Sequence, residues 1–276
     1  STGLPTRTEQ SDLMSAVFGC HGDNTKIVFS VANVEDCFYA PHIARYLTEK
    51  LRVPVIIMSD YITSVSYGVF ETFALNKLED INDISDDILA RFGLSRLPDD
   101  IEMVKDNQAN PGEMDKVRRV TGLNTDKDGL VVYTPRSNER SHVIRNEKIH
   151  HVRRALTEPE MFGDVEGADL LIVGWGSSRG VIKESVDRSK AEGHSVAGMA
   201  IRFVSPLPLM LKEIFAKFKR VVTVEVAYGH ENKPAPLAYC LRAETLIDIE
   251  SAIAHPTGRP LKPVDVMNMI QEKAHV

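Results

Sequence analysis

Two stretches carry residue types and spacings that could do chemistry. The first is Ser1-Thr2-Gly3-Leu4-Pro5-Thr6-Arg7-Thr8-Glu9-Gln10, which packs hydroxyls, a glycine, a proline and an arginine into a loop ahead of a helix. Hydroxyl and backbone donors beside a cation suit a carboxylate; an ordinary capped loop has the same composition. The second is Gly174-Trp175-Gly176-Ser177-Ser178-Arg179-Gly180, between an apolar run and a helical pattern. A dinucleotide fingerprint needs a third glycine where Arg179 stands. It also needs an acid at the end of the next strand, which reads Ile201-Arg202-Phe203. The same residues satisfy G-x-S-x-G, which would make Ser178 a hydrolase nucleophile, but the chain has no HGGG-type oxyanion loop. The plainer reading is a tight turn with close helix–strand contact, its helix N–H groups open to an anion.

Other polar residues are less specific. His150 and His151 are adjacent on a helical pattern, so they face different ways and do not chelate one metal. Glu225 ends a strand before Gly229-His230-Glu231-Asn232, where it could line a crevice or cap a neighbour. Cys20, Cys37 and Cys240 are far apart and form no C-x-x-C, which argues against a disulfide framework and a four-thiolate cluster on this chain.

The elements that must hold these residues alternate. A helix is expected over 8–19, capped by Thr8, then a strand over 26–31 (KIVFSV), a helix over 34–51 opened by Glu35 and Asp36, and a strand over 53–59. This is a βαβ unit, so a parallel sheet is expected. Residues 79–106 hold nine acids and three bases, a local −6, and 75–140 read as a long connection with a hairpin or short helices. A basic helix follows over 140–156. Beyond it come strands at 169–174, 195–203 and 220–226, and helices at 180–192, 209–218, 236–246 and 263–272.

The 276 residues are 43% apolar and 26% charged with net charge −6, which describes a globular chain and not a generally basic nucleic-acid binder. No apolar run approaches 18 residues, and the polar first 15 do not form a signal peptide. A cytoplasmic protein is expected. The chain begins at Ser1, inside a turn-rich segment, and reads as an interior stretch of something longer.

Taken in order, these motifs resemble the α subunit of 2-oxoacid:ferredoxin oxidoreductases, particularly the 2-oxoglutarate branch. STGLPTRTEQSDL is similar to that family's GPSTG(L/M)PT-x-TEQ-x-DL segment. Asp36-Cys37-Phe38 with Val53-Pro54-Val55-Ile56-Ile57-Met58-Ser59-Asp60 resembles its next helix and PVI-x-x-SD strand. Thr121-Gly122-Leu123 and Asp126-Lys127-Asp128-Gly129 resemble its TG-x-x-H-D-E-D-G connection, with Asn124-Thr125 replacing the histidine pattern. Trp175-Gly176-Ser177, Ala191-Glu192-Gly193, Arg202-Phe203, Pro206-Leu207-Pro208 and Gly258-Arg259-Pro260 resemble GWGS…AEG…RF-x-x-PLP…GRP of its later domain.

The resemblance implies an α/β fold. Residues 1–74 would be the C-terminal half of a thiamine-diphosphate pyrimidine-binding domain, 75–160 a connecting segment, and 161–276 a transketolase-C-terminal-like parallel-sheet domain. It implies oxidative decarboxylation of a 2-oxoacid to acyl-CoA, with coenzyme A as co-substrate and ferredoxin as electron acceptor. A β subunit would hold the diphosphate, Mg²⁺ and the iron–sulfur cluster in an (αβ)2 assembly. Thr6 matches a position contacting the substrate carboxylate, with Ser1 and Arg7 as its neighbours. The family's arginine partner and its aminopyrimidine-activating glutamate fall before Ser1, so the resemblance assigns no catalytic residue here. An alternative is a non-catalytic subunit-assembly module that docks through the acidic 79–106 stretch and the basic 140–154 helix.

Overall fold

In the computed structural model the described residues are 3–23, 25–71, 84–101, 121–126, 129–230 and 232–274. These residues build two sheets. In the first, β1 (Ile27–Ser30) runs parallel to β2 (Val55–Met58) and antiparallel to β6 (Phe203–Ser205), giving the order β2-β1-β6. All four β1 residues are buried, which explains an apolar run with no alternation.

The β1–β2 crossover is α2 (Val34–Leu51). Asn33 caps it, its side chain accepting from the Asp36 N–H at 2.8 Å, and Glu35 and Asp36 lie at the positive end of its dipole. It buries Tyr39, Ile43, Tyr46, Leu47 and Leu51. Phe29 of β1 stacks on Phe203 of β6 at 5.2 Å and meets Phe92 edge-on at 5.6 Å. Ile88 and Leu89 of α4 (Asp86–Arg91) and Val152 at the end of α5 (Pro135–Ala155) close the same core. The described part of the acidic stretch, residues 84–101, is therefore packed on the first sheet's core. Residues 79–83 and 102–106 lie outside the described residues. The helix expected from residue 140 starts earlier: Pro135 fits a first turn, and Thr134 caps it by accepting from the Ser137 N–H at 3.1 Å.

The second sheet has the order β3-β5-β4-β7-β8: β3 (Glu160–Gly163), β4 (Leu170–Trp175), β5 (Val196–Ile201), β7 (Arg220–Glu225) and β8 (Glu250–Ala254). Four strands are parallel, and β3 adds antiparallel to the β5 edge. One face is covered by α6 (Ser178–Ala191) and α9 (Pro263–Ala274), through Ile182, Val186, Val266 and Ile270. The other face is covered by α1 (Leu13–Phe18), α7 (Leu211–Phe215) and α8 (Pro236–Thr245), through Leu13, Leu211, Phe215, Leu237 and Leu241.

Three further expectations change. The first helix starts at Leu13, not 8, and Thr8 caps nothing: it is buried, with its hydroxyl lacking a partner among the described residues. The strand expected over 195–203 is two, broken at Arg202, and its two parts serve different sheets. Short β3, β8 and α3 (Tyr61–Val65) add to the expected set.

Candidate active-site loop

Strand β4 continues through α6 to β5 on one side, whereas β7 continues through α8 to β8 on the other. The carboxyl ends of β4 and β7 are thus a topological switch point, where open α/β sheets hold ligands. The 3–12 segment lies across it. Gln10 is 3% exposed; its backbone N–H donates to Val226 O at 2.7 Å. Its side-chain amide donates from Nε2 to Trp175 O and accepts at Oε1 from the Val226 N–H, both at 2.9 Å.

Upstream, Thr6 and Arg7 are exposed, and Arg7 Nη1 donates to Thr6 O at 3.1 Å. Thr6 has φ +50°, a left-handed backbone that a β-branched residue adopts only under constraint. Gly258, itself at φ +67°, lies beneath this turn. A Cβ there would come within 2.7 Å of Leu4 Cδ1 and 3.0 Å of Arg7 Cβ. Ser1 lies outside the described residues. The structure therefore places Thr6 and Arg7 side by side on a strained, exposed turn over the switch point.

The glycine-rich stretch forms a seam between the two sheets. Gly176 has φ +61°, and a Cβ there would sit 3.1 Å from Gln10 Nε2. Ser177 Oγ donates to Asp60 Oδ2, just past β2, while Asp60 Oδ1 accepts from the Thr63 N–H at 2.9 Å. A cavity of about 30 Å³ bounded by Glu9, Gln10, Met58, Asp60, Trp175 and Gly176 marks where the sheets' carboxyl ends meet. Ser178 is 2% exposed; its Oγ accepts from the Trp175 N–H at 3.0 Å and donates to Trp175 O at 2.8 Å. A hydroxyl so enclosed cannot attack a substrate, and the hydrolase reading is set aside. Arg179 pairs with Glu160, donating from Nε at 2.7 Å. The cavity of about 280 Å³ that these two line with Arg91 and Arg202 thus has its cations committed to Glu35, Glu160 and Asp36.

Glu225 is fully buried under the loop. It caps α8, whose N-cap Ala235 has no side chain for that role: Oε2 accepts from the Leu237 N–H at 2.7 Å and Oε1 from the Ala238 N–H at 3.2 Å. Burial holds its carboxyl up at about 7, against the pull of these N–H donors and the Thr223 hydroxyl. The Trp175 indole N–H favours the carboxylate too, although it closes no hydrogen bond of full geometry. Nearby, burial and then the Glu225 charge push the Cys240 thiol up to about 11. His150 and His151 lie on α5, and no group of three or more His, Cys, Asp or Glu able to hold a metal occurs among the described residues. Among those residues, no helix is long and apolar enough to cross a membrane.

Sequence reasoning missed Gln10, Gly258 and the Ser177–Asp60 contact. Their partners lie far away in the chain; Gln10, Asp60, Ser177 and Gly258 each stand in a quoted motif, but none of those motifs names a partner.

Two family models match the chain. One, described as pyruvate flavodoxin/ferredoxin oxidoreductase, thiamine diP-bdg, covers residues 1–119. The other, pyruvate:ferredoxin oxidoreductase core domain II, covers residues 168–266. The 2-oxoglutarate oxidoreductase subunit KorA of Mycobacterium tuberculosis is 30% identical over 91% of this chain and 37% of its own length. Subunit alpha of 2-oxoacid:ferredoxin oxidoreductase 2 of Aeropyrum pernix is 29% identical over 98% of this chain and 42% of its own. A solved 2-oxoglutarate:ferredoxin oxidoreductase from Magnetococcus marinus, with 2-oxoglutarate, coenzyme A and succinyl-CoA bound, superposes with a TM-score of 0.77 at 29% identity. The match covers 99% of this chain and 46% of that one. The chain spans less than half the length of these relatives.

Proposed function

We infer that the chain belongs to the family of 2-oxoacid:ferredoxin oxidoreductase α subunits. On that premise we propose that it serves in the oxidative decarboxylation of 2-oxoglutarate by a thiamine-diphosphate enzyme. The bond between the carboxyl and the 2-oxo carbon breaks, and CO₂ leaves. The acyl carbon forms a thioester with coenzyme A, one proton is released, and two electrons pass singly to ferredoxin. The observation that carries this reading is the likeness, over 99% of the chain, to an enzyme with 2-oxoglutarate, coenzyme A and succinyl-CoA bound.

Thiamine diphosphate, when bound, supplies the carbon nucleophile and electron sink. The described residues offer it only part of a site. They hold no metal-binding group, and Glu225 is sealed onto α8, out of reach of a cofactor. We therefore assign Mg²⁺, the diphosphate and the iron–sulfur cluster to a β subunit in an (αβ)2 assembly, and no proton transfer to the described residues. The units are taken as a partial pyrimidine-binding domain over 1–74, a connection over 75–160 and a transketolase-C-terminal-like domain over 161–276.

Thr6 receives the substrate carboxylate. Its strained, exposed turn and the adjoining Arg7 cation support that role. In the enzyme reconstituted from the full-length α chain and its β subunit, 2-oxoglutarate- and CoA-dependent viologen reduction is expected. Thr6→Ala should raise KM for the 2-oxoacid about tenfold, the worth of one charge-assisted hydrogen bond. Absence of CoA-dependent viologen reduction across a panel of 2-oxoacids would sink the reading.

A further inference from the structure

We propose that Gln10 is the positioning residue of the substrate loop: its amide clamps the loop to the switch point of the second sheet and so sets where the Thr6 hydroxyl stands. This rests on the reading of Thr6 as the carboxylate donor.

Three observations lead there. Trp175 O is the last carbonyl of β4, and Val226 is the first residue beyond β7. The β4–β7 ladder runs only to Val173↔Thr223, so these groups stand past the last rung, where the strands separate. A buried backbone group past the last rung needs a partner, and Trp175 O keeps a second lone pair besides the one that accepts from Ser178 Oγ. A primary amide offers a donor and an acceptor in one plane, and Gln10 uses Nε2 for one strand and Oε1 for the other. Its own N–H makes a third bond, to Val226 O.

The clamp also has room made for it. Gly176 turns the chain at a left-handed φ directly beside Gln10 Nε2, where a Cβ would crowd the amide. Thr8 and Gln10 are buried whereas Arg7 is exposed, so the segment runs down from the turn into the anchor with alternate residues inward. Left-handed backbone at a β-branched residue persists only where its surroundings over-determine it. Gln10 on one side of Thr6, and the Gly258 turn under Leu4 and Arg7, are those surroundings. Gln10 does not touch substrate on this account; it acts through Thr6.

The test is a double-mutant cycle in the reconstituted holoenzyme, with Gln10→Leu, Thr6→Ala and the pair, scored by KM for the 2-oxoacid, KM for coenzyme A, kcat and melting temperature. Gln10→Leu should raise the 2-oxoacid KM about tenfold and leave the coenzyme A KM within twofold. The pair should be no worse than Thr6→Ala alone, because a misplaced loop costs nothing once its hydroxyl is gone. Effects that multiply in the pair would show that Gln10 acts elsewhere and overturn the proposal, as would losses in kcat and melting temperature with both KM values unchanged. A Thr6→Ala enzyme with an unaltered 2-oxoacid KM would instead remove the Thr6 reading itself. Should Gln10→Leu fail to fold, Gln10→Glu decides by the same criteria, since it keeps the acceptor for Val226 N–H and loses the donor to Trp175 O.

Discussion

Glu225 should make the protein's stability depend on pH in a direction opposite to that of a surface carboxylate. Its ordinary pKa is 4.5, and burial holds it at about 7 in the fold. The native state therefore binds the proton more tightly than the unfolded chain. Below pH 4.5 both states are protonated and the burial costs nothing; above about 7 the fold must hold a buried charge. The stability associated with the protonated group is thus complete at low pH and lost as pH rises through about 7. At about 1.4 kcal/mol per pH unit, the interval from 4.5 to about 7 corresponds to about 3 kcal/mol. Glu225→Gln removes the titration but turns an amide N–H₂ toward an α8 N–H, so the variant starts out less stable at pH 5. The measurement is the difference in unfolding free energy between the native sequence and the variant, taken at intervals from pH 5 to 8. It should narrow by about 2–3 kcal/mol over that range, with a protonated-carboxyl infrared band vanishing near pH 7 only in the native protein. A difference that stays constant across the range would refute the reasoning, because it would mean that Glu225 is already ionised at pH 5.

Arg202→Ala should cost about 3 kcal/mol in thermal or denaturant unfolding, since it strips the cation from Asp36, whose side chain is fully buried, and leaves that charge unpaired. Ser178→Ala should lower stability by about 1–2 kcal/mol by orphaning the Trp175 N–H, yet leave turnover per folded enzyme unchanged. A serine-reactive phosphonate should likewise leave Ser178 unlabelled.

Local signals were enough for α2 and β1, because the acids of the first turn and an unbroken apolar run act within a few residues, and the Asn33 cap found in the structure agrees with them. They misjudged the first helix. Thr8 has the chemistry of a cap, but the loop spends it in the seam, and a cap signature cannot tell a helix start from an inward-facing loop residue. Strands β3 and β8 are short and carry Glu, Gly, Ser and Ala, residues whose strand state comes from their neighbours in the sheet. At the proposed site, the motif pointed to Thr6, and the structure adds its exposure and its left-handed backbone. Gln10 was not legible, because its role depends on Val226, 216 positions away. The G-x-S-x-G pattern was legible and misleading: spacing reveals a turn, and only burial reveals that the hydroxyl faces inward.

The break at Arg202 has a consequence for how this chain comes to exist. β1 is made early, yet one of its two neighbours, β6, is made more than 170 residues later. During synthesis, the apolar β1 therefore waits with one ladder edge open while the chain up to Ser205 emerges. Such an edge is a template for pairing with the wrong chain, and closure over so long a loop is slow. The first sheet is thus finished only from within the second, and separate expression of the sequence up to residue 160 would withhold the strand that completes it.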